Sequence, residues 1–503
     1  MGINLYSGIQ KVKNVKYLDK FGCSWYFYGR FNFDNDNCLK KWVFLMKKFL
    51  LLVICVLILV PLIWVLTYRF ERTPPEITAD LPSLYLKDGV ALSLNLQDTG
   101  TGLREVHVRL VQQETEKTLL KKDYAAGSVF NPFSGEIPKE DRVVIPVETG
   151  RHGLSDGDAL LHVQVTDQSW RGWNRGNMAE QQISVTIDTQ PPKIEILSRQ
   201  HNVERGGSGL VIYRLFETDV KSGVQVGDRF FPGNSGMFDQ SDIHAAFFAL
   251  DHTQGPGTQL WVTAEDGAEN ITRKGFYHYI RDRGFKSDEL RISDTFLGMT
   301  MPDFHLGDRE SQIEKTENPL LEKFLVVNTE LRNANVNKVL SVPADTVPQV
   351  LWQGRFERMA GATRAGFGDH RTYTYNGKQI GQSRHMGIDL ASTAMTPVGA
   401  ANAGRVVMAE PVGIFGNTVI IDHGFGLASL YAHLSNMMVS VGDTVHKGAV
   451  IGNTGMTGLA AGDHLHFSMI VHNVFVNPLE WWDPNWIENN VTAKIKAVRE
   501  GKS

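Results

Sequence analysis

Three short motifs near the C-terminal end carry the residues best suited to chemistry: His385-Met386-Gly387-Ile388-Asp389, Tyr431-Ala432-His433-Leu434-Ser435 and His464-Leu465-His466-Phe467. Side chains two apart in a strand face the same side, so His464 and His466 can converge on one centre. His385 and Asp389 stand an even four positions apart and share a face by the same rule, with Gly387 between them to let the backbone bend. Zinc hydrolase sites use three protein ligands, commonly two histidines and one carboxylate, and leave the fourth tetrahedral position for water. The inventory fits that chemistry. Cysteine chemistry is excluded for this region, because Cys23, Cys38 and Cys55 are the chain's three cysteines and all precede it.

Other histidines are read as surface or structural residues: His305, His370, His423, His446 and His472. His423 is the nearest decoy, and a turn at Asp422-His423-Gly424 accounts for it.

The elements that must position the motifs are short β-patterned runs separated by glycine between Val350 and Trp482, such as RVVMAEP, NTVIIDHG and HLHFSMIV. They predict an all-β domain. At these residues the chain resembles the lysostaphin-type zinc endopeptidases, the β-lytic peptidoglycan hydrolase family. The likeness runs from about Phe367 to Trp481 and includes GFGDHRTY, HMGIDLAS, TPVGAANAGRVV, GNTVIIDHG, YAHLS, VGDTVHKGAVIGNTGMTGLAAGDHLHF and VNPLEW.

The resemblance implies that His385, Asp389 and His466 hold Zn²⁺, while His433 and His464 flank the attacking water and the substrate. It implies hydrolysis of peptide bonds in peptidoglycan stem peptides or cross-bridges. One of His433 and His464 would take the water proton and the other would stabilise developing negative charge, with the division between them open. Two departures are visible. Ala460-Ala461-Gly462-Asp463 stands where the family often has threonine-glycine-proline, and RTYTYNGKQIGQS forms a hairpin-like insertion before the first motif, so substrate preference is not carried over.

Upstream, the apolar run Phe49–Tyr68 carries no charge and is long enough to cross about 30 Å of hydrocarbon. Lys40, Lys41, Lys47 and Lys48 precede it, whereas Arg69 and Arg72 follow, which keeps the lysine side cytoplasmic. A cleaved signal peptide fits less well, because the run exceeds the usual apolar length and no A-x-A-like site follows. The expected location is therefore the cytoplasmic membrane, single-pass, with the C-terminal domains outside in the periplasm or cell-wall space. Met46-Lys47-Lys48 before the run looks like a natural start, and residues 1–45 form no recognisable module.

With 503 residues the chain suits about three domains at roughly 150 residues each. Period-2 spacing in VALSLNL, EVHVRLV, LLHVQV and ISVTI predicts half-buried strands, and the repeated Pro-Pro entries Thr73-Pro74-Pro75 and Gln190-Pro191-Pro192 suggest two units. The expected fold class is mainly β. It comprises a cytoplasmic segment 1–48, a membrane helix 49–68, immunoglobulin-like β-sandwich units 73–188 and 189–281, and a partly helical connector 282–349. A zinc peptidase domain 350–485 and a tail 486–503 complete it.

Asn318-Pro319 starts a helix whose stripe is Leu321, Phe324, Leu325 and Leu331, interrupted by Asn328. Trp170 and Trp173 are read as packing residues rather than glycan contacts.

The formal net charge of −4, from 51 basic and 55 acidic residues, gives no electrostatic reason to expect nucleic acid as a partner. Peptidoglycan and the membrane are the expected partners, and a regulatory protein is a further candidate. Two other classes compete with the enzyme: a non-hydrolytic activator of another wall hydrolase, against which the complete set of five motif residues argues, and a wall-binding adhesion protein.

Overall fold

The computed structural model describes residues 17–18, 24–25, 36–125, 137–148, 154–342 and 346–502. Most of the segment expected on the cytoplasmic side, residues 1–35, lies outside the described residues. The chain divides into two compact units, Met1–Asp188 and Thr189–Ser503.

The N-terminal unit opens with the helix Asp36–Arg69. It starts upstream of the apolar run, because Trp42, Val43, Phe44, Leu45 and Met46 extend the helical stretch. Its Lys40–Arg69 portion is long and apolar enough to cross a membrane, and its large apolar side chains are exposed.

Two sheets follow. One has the strand order Tyr85–Leu86, Met178–Ile187, Gly157–Asp167, Leu103–Gln112, Thr115–Asp123; the other has Glu76–Asp80, Ala91–Gln97, Glu140–Pro146. Alternate residues are buried along Ala91–Gln97 and Gly157–Asp167, as the pleat requires when one face is wet. Leu92, Leu94 and Leu96 meet Val106, Val108, Leu161, Val163 and Val165 in one apolar cluster.

Trp170 and Trp173 correct the packing expectation in part. Trp170 is half-buried, but Trp173 is 98% exposed. Gly172, Trp173 and Asn174 all have φ near the left-handed region, at 60°, 60° and 65°, and this turn carries the indole outward.

In the C-terminal unit the segments expected as a second β domain, a connector and a peptidase domain share one buried apolar cluster, which runs from Ile194 to Val498. Within it Trp481 packs against Phe247, Phe356 and Trp352 at ring-centroid distances of 5.8, 5.5 and 5.7 Å. The neighbouring Glu480 side chain is buried, and its Oε2 accepts from the Ser208 amide (2.8 Å) and hydroxyl (2.9 Å).

The connector contributes more than helix. Its strand Ser287–Arg291 runs parallel to His370–Tyr375. Asn318 accepts from the Leu321 amide and caps the helix Pro319–Val326, which continues through a wider turn at Val327–Leu331 into Arg332–Ser341. Asn328, the polar interruption of the stripe, is buried and accepts from Arg332 Nε and Nη2 at 3.2 and 3.0 Å.

Residues past 485 are not an extended tail. Pro484–Ile487, Glu488–Thr492 and Ala493–Arg499 are helical, and Ile487, Val491 and Val498 join the core. Their spacing of four and seven places them on one helix face. Lys494 is buried there and donates to the Leu210 carbonyl at 3.1 Å.

The motifs lie in a sheet with the order Ala362–Ala365, Ile388–Ala391, Leu465–Val471, Leu427–Leu434, Gly416–Asp422, Gly404–Val412, Thr444–Val445. Leu465–Val471, Leu427–Leu434 and most of Gly416–Asp422 are buried on both faces, which matches their near-continuous apolar sequence.

Candidate metal centre

The antiparallel register sets Asp389 directly opposite His466, and His466 opposite Ala432 on its other side. Three motifs far apart in sequence thereby meet across three adjacent strands. His433 follows Ala432 with φ of 62°, an unusual backbone for a non-glycine residue. The backbone bends at Gly387, as expected, and the residue has a second role. A β-carbon there would lie 2.6 Å from His466 Nε2 and from Ser468 Oγ, so glycine leaves room for the imidazole.

His385 Nε2, Asp389 Oδ1 and His466 Nδ1 form a triangle. His385 Nε2 is 2.8 Å from Asp389 Oδ1 and 2.9 Å from His466 Nδ1, and the latter is 2.9 Å from the same carboxylate oxygen. All three residues are buried.

The far side of each ring assigns its tautomer. His385 Nδ1 donates to the Gly366 carbonyl at 2.8 Å. Ser468 Oγ donates to the Met386 carbonyl at 2.8 Å, and so it accepts from His466 Nε2 at 3.0 Å. With both rings neutral, three lone-pair donors face one another and no hydrogen lies between them. A cation satisfies such a set. Ligands at tetrahedral zinc distances stand about 3.3 Å apart, so the triangle need open by only about 0.4 Å. The side chains present fit zinc.

His433 and His464 adjoin the triangle, with ring centroids 4.8 Å apart, and His433 lies 5.8 Å from the His466 ring. His433 Nδ1 donates to the Thr457 carbonyl and His464 Nδ1 to the Gly462 carbonyl, at 2.8 and 2.7 Å. Each ring therefore keeps Nε2 as its second functional nitrogen. His464 Nε2 stands 3.6 Å from Asp389 Oδ1.

Burial raises the Asp389 carboxyl, but the charge and hydrogen bonds of protonated imidazoles, His385 foremost, outweigh it and hold the group well below the usual carboxylate range, an attraction that a bound cation would supply with the rings neutral. Burial pushes His433 down to about 3, with His464 and His466 adding to the effect, and His466 down to about 4. For His464 burial is outweighed by the Asp389 carboxylate, and the group is raised.

The five motif residues thus come together, and the other histidines stay apart from them. His305 and His446 are exposed. His423 is buried with Nδ1 on the Ala403 carbonyl and Nε2 on Ser429 Oγ, both at 2.7 Å.

Sequence reasoning missed the partners that orient the site. Arg371, on the hairpin formed by His370–Tyr375 and Lys378–Arg384, donates from Nη2 to Asp389 Oδ2 at 2.9 Å. The carboxylate thus offers Oδ1 to the triangle while Oδ2 is held elsewhere. The GFGD turn presents the Gly366 carbonyl, its shape set by the Gly366 amide bonding Asp369 Oδ2 at 2.7 Å. The signal for Arg371 was a basic residue inside the insertion, but nothing in the spacing tied it to Asp389.

A two-histidine, one-carboxylate centre on an antiparallel sheet, flanked by two further imidazoles, is a metallopeptidase arrangement. Residues 383–478 match the model for peptidase family M23, and the C-terminal domain belongs to that family.

Over 95 residues the chain is 41% identical to the DD-carboxypeptidase/endopeptidase Mpg of Neisseria meningitidis serogroup B, covering 19% of this chain and 22% of that protein. Over 96 residues it is 40% identical to the peptidoglycan DD-endopeptidase ShyA of Vibrio cholerae serotype O1, again covering 19% and 22%. The chain therefore spans about a fifth of the length of these curated relatives. The catalytic domain of the antimicrobial peptidase lysostaphin from Staphylococcus simulans is 30% identical, covering 24% of this chain and 92% of that one with a TM-score of 0.21.

Proposed function

We propose that this protein is a membrane-anchored zinc endopeptidase that hydrolyses peptide bonds in peptidoglycan stem peptides or cross-bridges. The observation that carries the reading is the triangle of unprotonated donors from His385, Asp389 and His466, with His433 and His464 beside it. The matching relatives named as peptidoglycan endopeptidases support the substrate class. The helix Lys40–Arg69, with lysines at its N-terminal side, supports an anchor that leaves the C-terminal domains outside the cytoplasm.

His385, Asp389 and His466 would hold zinc, which supplies Lewis-acid polarisation of the scissile carbonyl and lowers the pKa of the attacking water. Nε2 of His433 or His464 takes a proton from that water, and the other imidazole donates to the oxygen on which negative charge grows. Arg371 holds Asp389 Oδ2, so Oδ1 is the carboxylate oxygen that would be free to serve as a ligand. The β-rich segments before the peptidase domain serve as a spacer.

The test is digestion of purified sacculi by the full chain in detergent, loaded with one zinc, with products read by mass spectrometry. New amino and carboxyl termini should appear without new sugar reducing ends, and a chelator should stop their release. Glycosidases ordinarily need a carboxylate pair around the sugar bond, which this centre does not offer. Metal-replete protein that leaves several wall types uncut, yet stimulates an added amidase, would replace this reading with the activator.

A further inference from the structure

A second group of ligand-type side chains meets in the N-terminal unit, outside the histidine centre. Glu71, just past the helix that ends at Arg69, joins Asp98 and Asp167, each with a carboxylate oxygen within 4.8 Å of the others. Asp98 Oδ2 accepts from the amides of Gly100 (3.2 Å) and Gly102. Asp167 Oδ1 accepts from the amides of Ser169 and Asn177 at 2.9 and 2.7 Å, and Oδ2 from Asn177 Nδ2 at 2.7 Å. Glu71 Oε1 accepts from the amide and hydroxyl of Thr101.

These bonds pin three like charges against one another, which costs free energy unless a cation stands among them. Asp98 makes the case specific. The residue is 2% exposed, and its Oδ1 has no hydrogen-bond partner among the described residues. A buried carboxylate oxygen left without a donor is rare and calls for an explanation such as an ion. Among the described residues no lysine or arginine forms an ion pair with any of the three acids. Gly100 makes room for the group, because a β-carbon there would lie 1.1 Å from Glu71 Oε2.

We propose that Glu71, Asp98 and Asp167 form a binding site for a hard divalent cation, calcium in the first place. The donors are all oxygen, with no imidazole or thiolate to favour zinc. Calcium accepts carboxylates and carbonyls in flexible geometry, whereas magnesium demands near-ideal octahedral positions and keeps its water. The ion would tie the segment leaving the long helix to two loops of the β unit. This site is independent of the peptidase reading, since it shares no residue with the histidine centre.

The test is calorimetric titration of calcium chloride into the full chain in detergent with the zinc site already filled. One saturable equivalent should bind, with a dissociation constant on the order of 10⁻³ M or tighter, as in extracellular calcium modules. The thermal midpoint should rise with calcium. Asp98→Asn should weaken binding by at least about tenfold and remove that rise, while zinc content stays unchanged. Glu71→Gln, at the half-buried acid, should repeat the loss and decides the matter if Asp98→Asn does not fold.

No saturable binding by the wild-type chain up to about 10 mM calcium would overturn the proposal. So would folded Glu71→Gln protein that binds calcium like the wild type. Tighter binding of magnesium than of calcium would overturn the choice of ion.

Discussion

The two ligand-bearing clusters differ in what they are made of and in what holds them. In the C-terminal unit His385, Asp389 and His466 come from adjacent strands or a strand's approach, and each is oriented by a bond on its far side. In the N-terminal unit Glu71, Asp98 and Asp167 sit beside a helix end and at strand ends, held by the amides of turns. The first set mixes nitrogen with oxygen and has two more imidazoles at hand. The second is oxygen alone. The contrast teaches that donor type and neighbours separate the centre proposed for hydrolysis from the one proposed for tying loops together.

Glu480 supplies the opposite case, in which burial outweighs the Ser208 hydrogen bonds and the attraction of Arg283 and Arg281. It is buried against Ser208, and burial pushes its carboxyl up to about 8. Asp389, equally buried, is driven the other way by its imidazoles. Burial alone therefore makes a carboxylate hold its proton, and partners decide otherwise.

The largest effect should come from removing a triangle donor. Asp389→Ala or His466→Ala would take away one of the three proposed protein ligands and should reduce bound zinc, measured by elemental analysis, to a small fraction of an equivalent, with wall digestion at background. Next, His433→Ala and His464→Ala should keep close to one zinc while turnover falls about 10²–10⁴-fold. Equal zinc loss in all four variants would erase the division between ligands and flanking imidazoles.

A smaller change is expected at Arg371. Arg371→Ala should weaken zinc affinity by about 10–100-fold in a chelator competition, the range for groups that orient a ligand, with the fold intact. Unchanged affinity would reduce the Arg371–Asp389 pair to an ordinary ion pair.

Glu480 gives the gentlest test and concerns stability. Its folded value of about 8 lies above the unfolded one near 4.5, so its contribution is complete below about pH 4.5 and is lost as pH rises through 8. Urea unfolding of the C-terminal unit should show the wild type losing a few kcal/mol between pH 5 and pH 8, and Glu480→Gln should flatten that slope. The same slope in both proteins would show that Glu480 does not hold a proton.

Sequence alone singled out the three motifs, the apolar helix and the cap at Asn318, because each is written in local order. Even spacing puts strand side chains on one face, a charge-free run suits a long exposed helix, and an asparagine before a proline starts one. Alternation in VALSLNL and LLHVQV likewise appears as alternating burial in Ala91–Gln97 and Gly157–Asp167.

Only the tertiary structure decided which groups orient those side chains. The Gly366 carbonyl lies 19 residues from His385, Arg371 lies 18 from Asp389, and the Thr457 carbonyl lies 24 from His433. Strand register and turns set those pairings, and no periodicity in the chain records them. The same holds for Trp173, which a left-handed turn exposes, and for Ile487, Val491 and Val498, whose helical spacing acquires meaning through the core that receives them. Local patterns specify which way a side chain points from its own element. What it meets there depends on how distant elements cross.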